Sequence, residues 1–126
     1  MSVRYFSPDE ANALLPDLEP LMGDLLARRA KAARMRRDVA MLLDTPHVDL
    51  GGRRVTELTQ EFIGIEQLVQ QIRGMGCVIK SLEAGLVDFL AQLDGRDVYL
   101  CWRYGEDRVS HYHELHTGFR DRRKLE

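Results

Sequence analysis

The sequence is poor in cysteine, and the two it has, Cys77 and Cys101, stand far apart with no C-x-x-C pairing. Neither a disulfide framework nor a zinc knuckle is indicated, and two reduced thiols are expected. A surplus of charge of one sign is also missing. Eighteen Lys and Arg against twenty Asp and Glu leave a formal charge of −2, which gives no global field for drawing the chain to nucleic acid or an anionic membrane. Long apolar runs are lacking too, so no membrane span is expected. The first residues, with Ser2, Arg4, Ser7 and Asp9, contain no apolar signal core, and the chain reads as cytoplasmic.

What the sequence does have is enough apolar content, 44% of 126 residues, to build the core of one ordinary domain. That domain, 1–126, divides into a helical hairpin over about 8–75, a β-meander over about 77–115 and a charged tail over about 119–126. Ser7-Pro8-Asp9-Glu10 is a helix start, with a Ser cap, Pro in the first turn and Glu10 placed to return a capping-box bond. Pro16 and Pro20 each remove a backbone donor, so a short kinked helix followed by a long one reaching about Leu43 is expected.

Leu18, Leu21, Leu25, Arg28, Ala32, Met35, Val39 and Leu42 alternate spacings of three and four, a coiled-coil seam interrupted by Arg28, which predicts a loose or exposed spot there. Thr45-Pro46 to Gly51-Gly52 has turn chemistry. Val55, Leu58, Phe62, Ile65, Val69 and Ile72 then repeat the seam until Gly74-Met75-Gly76 ends the helix. Two such helices pair as an antiparallel hairpin, and the seam together with free sheet edges predicts a homodimer. The cations Arg28, Arg29, Lys31, Arg34, Arg36 and Arg37 spread around the first helix without interleaved aromatics. Nucleic acid is therefore not expected, and pairing with Glu57, Glu61 and Glu66 of the second helix is.

Beyond Gly76 the period becomes two, and four β-prone runs follow, separated by turn residues. The fold class is α+β, a long antiparallel helical hairpin packed with a three- to four-stranded antiparallel meander. Asp94-Gly95 suits a two-residue hairpin turn. It sets Leu93 opposite Arg96, Ala91 opposite Val98, Phe89 opposite Leu100 and Val87 opposite Trp102 on one apolar face. The other face then carries Leu90 with Tyr99 and Asp88 with Cys101. The next hairpin has two registers. If Arg103 pairs with Val109, Cys101 faces His111 and Tyr99 faces His113, so Asp88, Cys101 and His111 form a row. If Arg103 pairs with Arg108, His111 moves to the apolar side and the row dissolves. The first register keeps polar residues together and is the one expected.

The stretches "FSPDEANALLPDLEPLM", "GCVIKSLEAGLVDF", "GRDVYLCWRYGE" and "YHELHTGFRDR" resemble an uncharacterised bacterial family catalogued as domain of unknown function 2203. The resemblance spans nearly the whole chain and implies no activity, substrate or cofactor. Its recurrent pattern is matched at Asn12, Leu15, Pro16, Lys80, Gly85, Asp88, Phe89, Cys101, Trp102, Gly105, Glu106, His113, Glu114, Gly118 and Arg122, which singles out His113 among the histidines. The chain departs from it at Leu90, where a proline is common, and at Tyr112, where a tryptophan is common.

Asp88, Cys101, Glu106, His111, His113 and Glu114 are the metal or ligand candidates, because these side chains bind zinc or iron and three or four converging would make a mononuclear site. The alternative is histidines hydrogen-bonded on a half-exposed sheet face, with Cys101 packed as a small apolar residue. A thiolate–imidazolium pair of Cys101 with a histidine is a further option, and it needs an open cleft. Arg103 and Arg122 are candidates for a small anionic ligand, since guanidinium forks suit phosphate and carboxylate. Three functional readings follow: a metal- or ligand-binding protein, a homo-oligomeric or partner-binding module acting through its helices, and an enzyme on a small anionic substrate.

Overall fold

The computed structural model describes residues 3–43 and 52–125. The Thr45-Pro46 to Gly51 connection and the Leu42 side chain lie outside the described residues. Helix α1 runs Pro8–Leu43 and α2 Arg53–Gly74, followed by β1 Val78–Ser81, β2 Leu86–Leu93, β3 Arg96–Arg103 and β4 His111–Glu114. A 3-10 turn, Phe119–Asp121, leads to β5 Arg123–Lys124, and the five strands form one sheet in the order β1-β2-β3-β4-β5 with antiparallel neighbours. No helix among the described residues is long and apolar enough to cross a membrane.

The start of α1 is the capping box the sequence predicts: Glu10 N donates to Ser7 Oγ at 3.1 Å, and Ser7 N donates to Glu10 Oε1 at 2.9 Å. The prolines do not split the helix. Pro16 and Pro20 lie on the exposed side, where water can take the carbonyls of Asn12 and Pro16 that lose their donors. On the opposite side Ala11, Leu15, Leu18, Met22 and Leu25 are buried, and that continuous stripe holds one helix together where local propensity favours two.

The helices run antiparallel, since Arg28 and Lys31 of α1 both reach Glu61 of α2, and the wall of one groove pairs Asp24 with Leu68. Along α2 the buried positions are Glu61, Leu68, Val69 and Ile72, while Phe62 is 47% exposed. The seam at the far end of α2 therefore sits one residue before the expected one. A glutamate can occupy it because Lys31 Nζ lies 2.9 Å and Arg28 Nη1 3.3 Å from its oxygens. Arg28 is thus an ion-pair partner, also 3.4 Å from Asp24, where an exposed gap was expected. These cations, Lys31 foremost, lower the Glu61 pKa. A lowered folded pKa adds stability that is present above the ordinary carboxylate range and lost as pH falls through the folded value. The stability difference between the protein and its Glu61→Gln variant, measured by urea unfolding, is therefore expected to be greatest near pH 7 and to shrink below about pH 4. A difference that does not change with pH would refute this role.

Met75 caps α2, and Gly76 at φ +96° turns the chain into the sheet; a Cβ there would lie 2.8 Å from the Arg4 side chain. The first hairpin has the predicted register throughout, from Leu93↔Arg96 to Val87↔Trp102. Asp94 (φ 52°) and Gly95 (φ 80°) both take left-handed backbone, as a two-residue turn of this kind demands. One face of the hairpin, Val87, Phe89, Ala91, Val98, Leu100 and Trp102, is buried and joins the helix stripe in a single core. Phe6 meets Phe89 edge-on at 5.3 Å, and Phe6 N donates to Leu90 O at 2.7 Å, tying the N-terminal segment to the sheet.

The second hairpin takes the expected register, Cys101↔His111 and Tyr99↔His113. Its loop is fastened to α1 by Asn12, whose Oδ1 accepts from Val109 N at 2.7 Å and whose Nδ2 donates to Val109 O at 3.1 Å and to Pro8 O at 2.9 Å. The segment expected as a charged tail is part of the sheet. Lys124 and Arg123 pair with His111 and Tyr112, and Leu125 N donates to Ser110 O at 2.8 Å. The free backbone of β4 offers bonds that two exposed polar side chains do not advertise in sequence.

Candidate functional site

The side of the sheet turned away from the core carries the polar residues. Strand parity puts Asp88 of β2 and Cys101 of β3 there, directly opposite each other. His113 of β4 faces Tyr99 and reaches diagonally to Asp88. All three side chains are buried, Asp88 to 1% exposure and Cys101 and His113 to 2%.

The hydrogen bonds fix how the imidazole is used. His113 Nδ1 is 2.8 Å from Glu114 O, which can only accept, so Nδ1 carries a hydrogen. His113 Nε2 is 2.8 Å from Asp88 Oδ2, and those two atoms share a further proton. Burial pushes the Asp88 carboxyl up, against the opposing pull of His113 and Lys80. Cys101 Sγ lies within 4.8 Å of the same carboxylate and beside the Arg122 guanidinium. Lys80 Nζ sits 4.9 Å over the Tyr99 ring, which tilts against the His113 ring at 5.7 Å.

The ligand atoms of Asp88, Cys101 and His113 all lie within 4.8 Å of one another. The other candidates are held elsewhere. His111 faces Cys101 in the ladder, yet its Nδ1 pairs with Ser110 Oγ at 3.0 Å. The expected row Asp88, Cys101, His111 is thus replaced by a group containing His113, whose Nε2 reaches Asp88 on the diagonal across β3 while His111 Nδ1 is taken by Ser110. Glu106 accepts Arg122 Nη1 and Nη2 at 2.9 and 2.7 Å and Arg103 N at 2.7 Å. Glu114 forms a fork with Arg96, its shortest contact 2.7 Å.

The two anion candidates do not form an open anion site. The Arg122 fork is filled by Glu106, and Arg103 and Arg122 both lie over the Phe119 ring, at 5.6 and 4.1 Å. Sequence reasoning placed Arg122 in a tail. In the fold the return of the chain along β4 sets it against Cys101. The one sequence signal for this is the resemblance, whose pattern already joins Arg122 and Lys80 to Asp88, Cys101, Glu106 and His113.

A mixed oxygen, sulfur and nitrogen donor set suits zinc or ferrous iron. Ligand atoms around tetrahedral zinc stand roughly 3.3–3.6 Å apart, so the 2.8 Å Asp88–His113 contact would have to open by about half an ångström for a metal to replace the shared proton. The Nδ1 bond to a backbone carbonyl is the usual support for a ligating imidazole and leaves Nε2 for the metal. Three protein ligands leave a fourth position for water or substrate.

A free cysteine nucleophile does not fit this site. Burial and the Asp88 charge push the Cys101 thiol up to about 12, and burial pushes Cys77 up to about 11. Both are therefore protonated at neutral pH, and Cys77 Sγ donates to Ile72 O at 3.3 Å. Neither thiol is expected to react with iodoacetamide in the native protein at pH 7.5, and both should react in urea, as counted by intact mass. Rapid native alkylation at Cys101 would contradict the burial.

A family model described as "Uncharacterized conserved protein (DUF2203)" matches residues 4–125. No curated protein and no solved structure matches the chain.

Proposed function

The chain belongs to the DUF2203 family of uncharacterized conserved proteins, and since that description assigns no activity, we propose from the buried group itself that the protein binds a divalent transition metal, zinc or ferrous iron. The ligands are an Asp88 carboxylate oxygen, Cys101 Sγ and His113 Nε2. The observation that carries the reading is the convergence of these three donors within 4.8 Å from three separate strands, all buried. Arg122 beside the sulfur favours thiolate over thiol once a metal is present, and Glu106 balances the guanidinium charge. Reduced, buried thiols suit a cytoplasmic setting.

Cobalt(II) titration of tag-free protein tests this. A thiolate-to-cobalt absorption band is expected at one equivalent, absent in Cys101→Ser and altered or lost in His113→Ala. Protein that retains neither zinc nor iron on purification and gives no such band overturns the reading. A second reading, self-association through the helices, is favoured by the exposure of Val55 and Ile63 on α2, at 37% and 54%. Light scattering coupled to size exclusion decides it: a strict monomer at high concentration removes it.

A further inference from the structure

Two grooves meet along the helix pair. One, of about 390 Å³, lies where α1, α2 and β1 come together, and its walls carry Arg29, Arg73 and Lys80, one cation from each element. The other, of about 550 Å³, continues between the helices over Leu26, Phe62 and Ile65. They share Arg29 and Glu83 as a common wall, and among the described residues Glu83 is the only acidic one lining either.

The charges in these walls differ from the other cations of α1. Arg28 and Lys31 are committed to Glu61. Arg29 and Arg73 make no side-chain hydrogen bond or ion pair among the described residues, and neither does Arg36 at the apolar groove. Lys80 rests on the Tyr99 ring. Ser81, which also lines the cationic groove, accepts a hydrogen bond from Ala84 N at its Oγ at 3.1 Å. In a chain of formal charge −2, the three cations Arg29, Arg36 and Arg73 against the one carboxylate of Glu83 are a local reversal of sign. It adjoins a groove that leaves Phe62 47% exposed.

We propose that the two grooves form one binding site for a free single-chain amphipathic anion. A phosphate or carboxylate head lies between Arg29 and Arg73, and its apolar chain lies along Leu26, Phe62 and Ile65. Two guanidinium forks match an oxyanion in charge and geometry, and the exposed phenylalanine supplies apolar surface that an alkyl chain removes from water. The site shares no residue with Asp88, Cys101 and His113 and does not depend on their binding a metal.

Calorimetric titration with dodecyl phosphate below its micelle concentration tests the proposal, with inorganic phosphate, dodecyl maltoside and phosphatidylglycerol vesicles as comparisons. One dodecyl phosphate per chain is expected, bound at least about tenfold more tightly than inorganic phosphate, since burying as few as two methylenes accounts for that factor. The double variant Arg29→Glu/Arg73→Glu should abolish binding of both anions. Phe62→Ser should weaken dodecyl phosphate and leave inorganic phosphate unchanged. All three positions are exposed, so the variants are expected to fold, as circular dichroism will report. Equal affinity for dodecyl phosphate and phosphate, equal binding of dodecyl maltoside, or binding insensitive to the charge reversal each overturns the proposal. Vesicle binding with the same sensitivity would make the surface a membrane contact and overturn it as well.

Discussion

Replacing His113 by alanine is expected to cost the fold about 3–5 kcal/mol, because breaking a buried pair leaves its other member uncompensated. Asp88 is 1% exposed, and its Oδ2 takes the 2.8 Å bond from His113 Nε2. Without the imidazole, a carboxyl group already pushed up by burial must either hold charge with less compensation or take a proton without its best partner. Asp88→Asn tests the cause separately. Its amide nitrogen can donate to Nε2 of a neutral His113 whose Nδ1 hydrogen still serves Glu114 O, so a loss of only about 1 kcal/mol is expected, the net value of an ordinary hydrogen bond. The double variant Asp88→Leu/His113→Phe should lose less than the two single losses added, since no polar group is then stranded. Urea unfolding in the presence of a chelator measures all of these without a contribution from bound metal. A His113→Ala loss below about 1 kcal/mol would show that the pair adds little to the fold.

Which histidine joins Asp88 marks where sequence reasoning ends at this site. The register of both hairpins was legible: Asp94-Gly95 dictates one turn chemically, and matching polar with polar faces selects the other. Register names the residue directly opposite, His111, whereas the bond is made by His113 two positions on. That choice depends on sheet twist and on the competing pull of Ser110 on His111 and Glu114 O on His113, none of which has a sequence period. The resemblance supplied the correct histidine, by pattern and without a physical reason.

The helices repeat the lesson at larger scale. Their pairing follows from heptads, but an apolar repeat cannot announce that Glu61 occupies the seam and Phe62 lies outside it. Such an arrangement is stable only with Arg28 and Lys31 supplied from the other helix. The unbroken α1 is the same kind of fact, since the burial that overrides Pro16 and Pro20 comes from the sheet and α2. β5 is the limiting case: two exposed basic residues become a strand because β4 has backbone groups to satisfy.

Trp102→Ala should destabilise the protein by about 3–5 kcal/mol, the usual range for truncating a large buried aromatic residue. Trp102 is 0% exposed on the apolar face, opposite Val87 and within the core shared with the helices. It has a second task. Its Nε1 donates to Glu106 O at 3.0 Å, pinning the turn whose Glu106 side chain accepts Arg103 N at 2.7 Å and both terminal nitrogens of Arg122. Packing and pinning can be separated with Trp102→Phe, which keeps an aromatic ring and removes the donor. That variant should lose about 1–3 kcal/mol, the cost of a smaller ring and an unmatched carbonyl. It should also speed hydrogen exchange at the Arg103 amide relative to the amides of Leu100 and Val98, because the turn loosens before the strand does. If Trp102→Phe leaves Arg103 exchange unchanged, the indole serves packing alone. If it quickens exchange, the core residue is also what holds Glu106, and through it Arg122, beside Cys101.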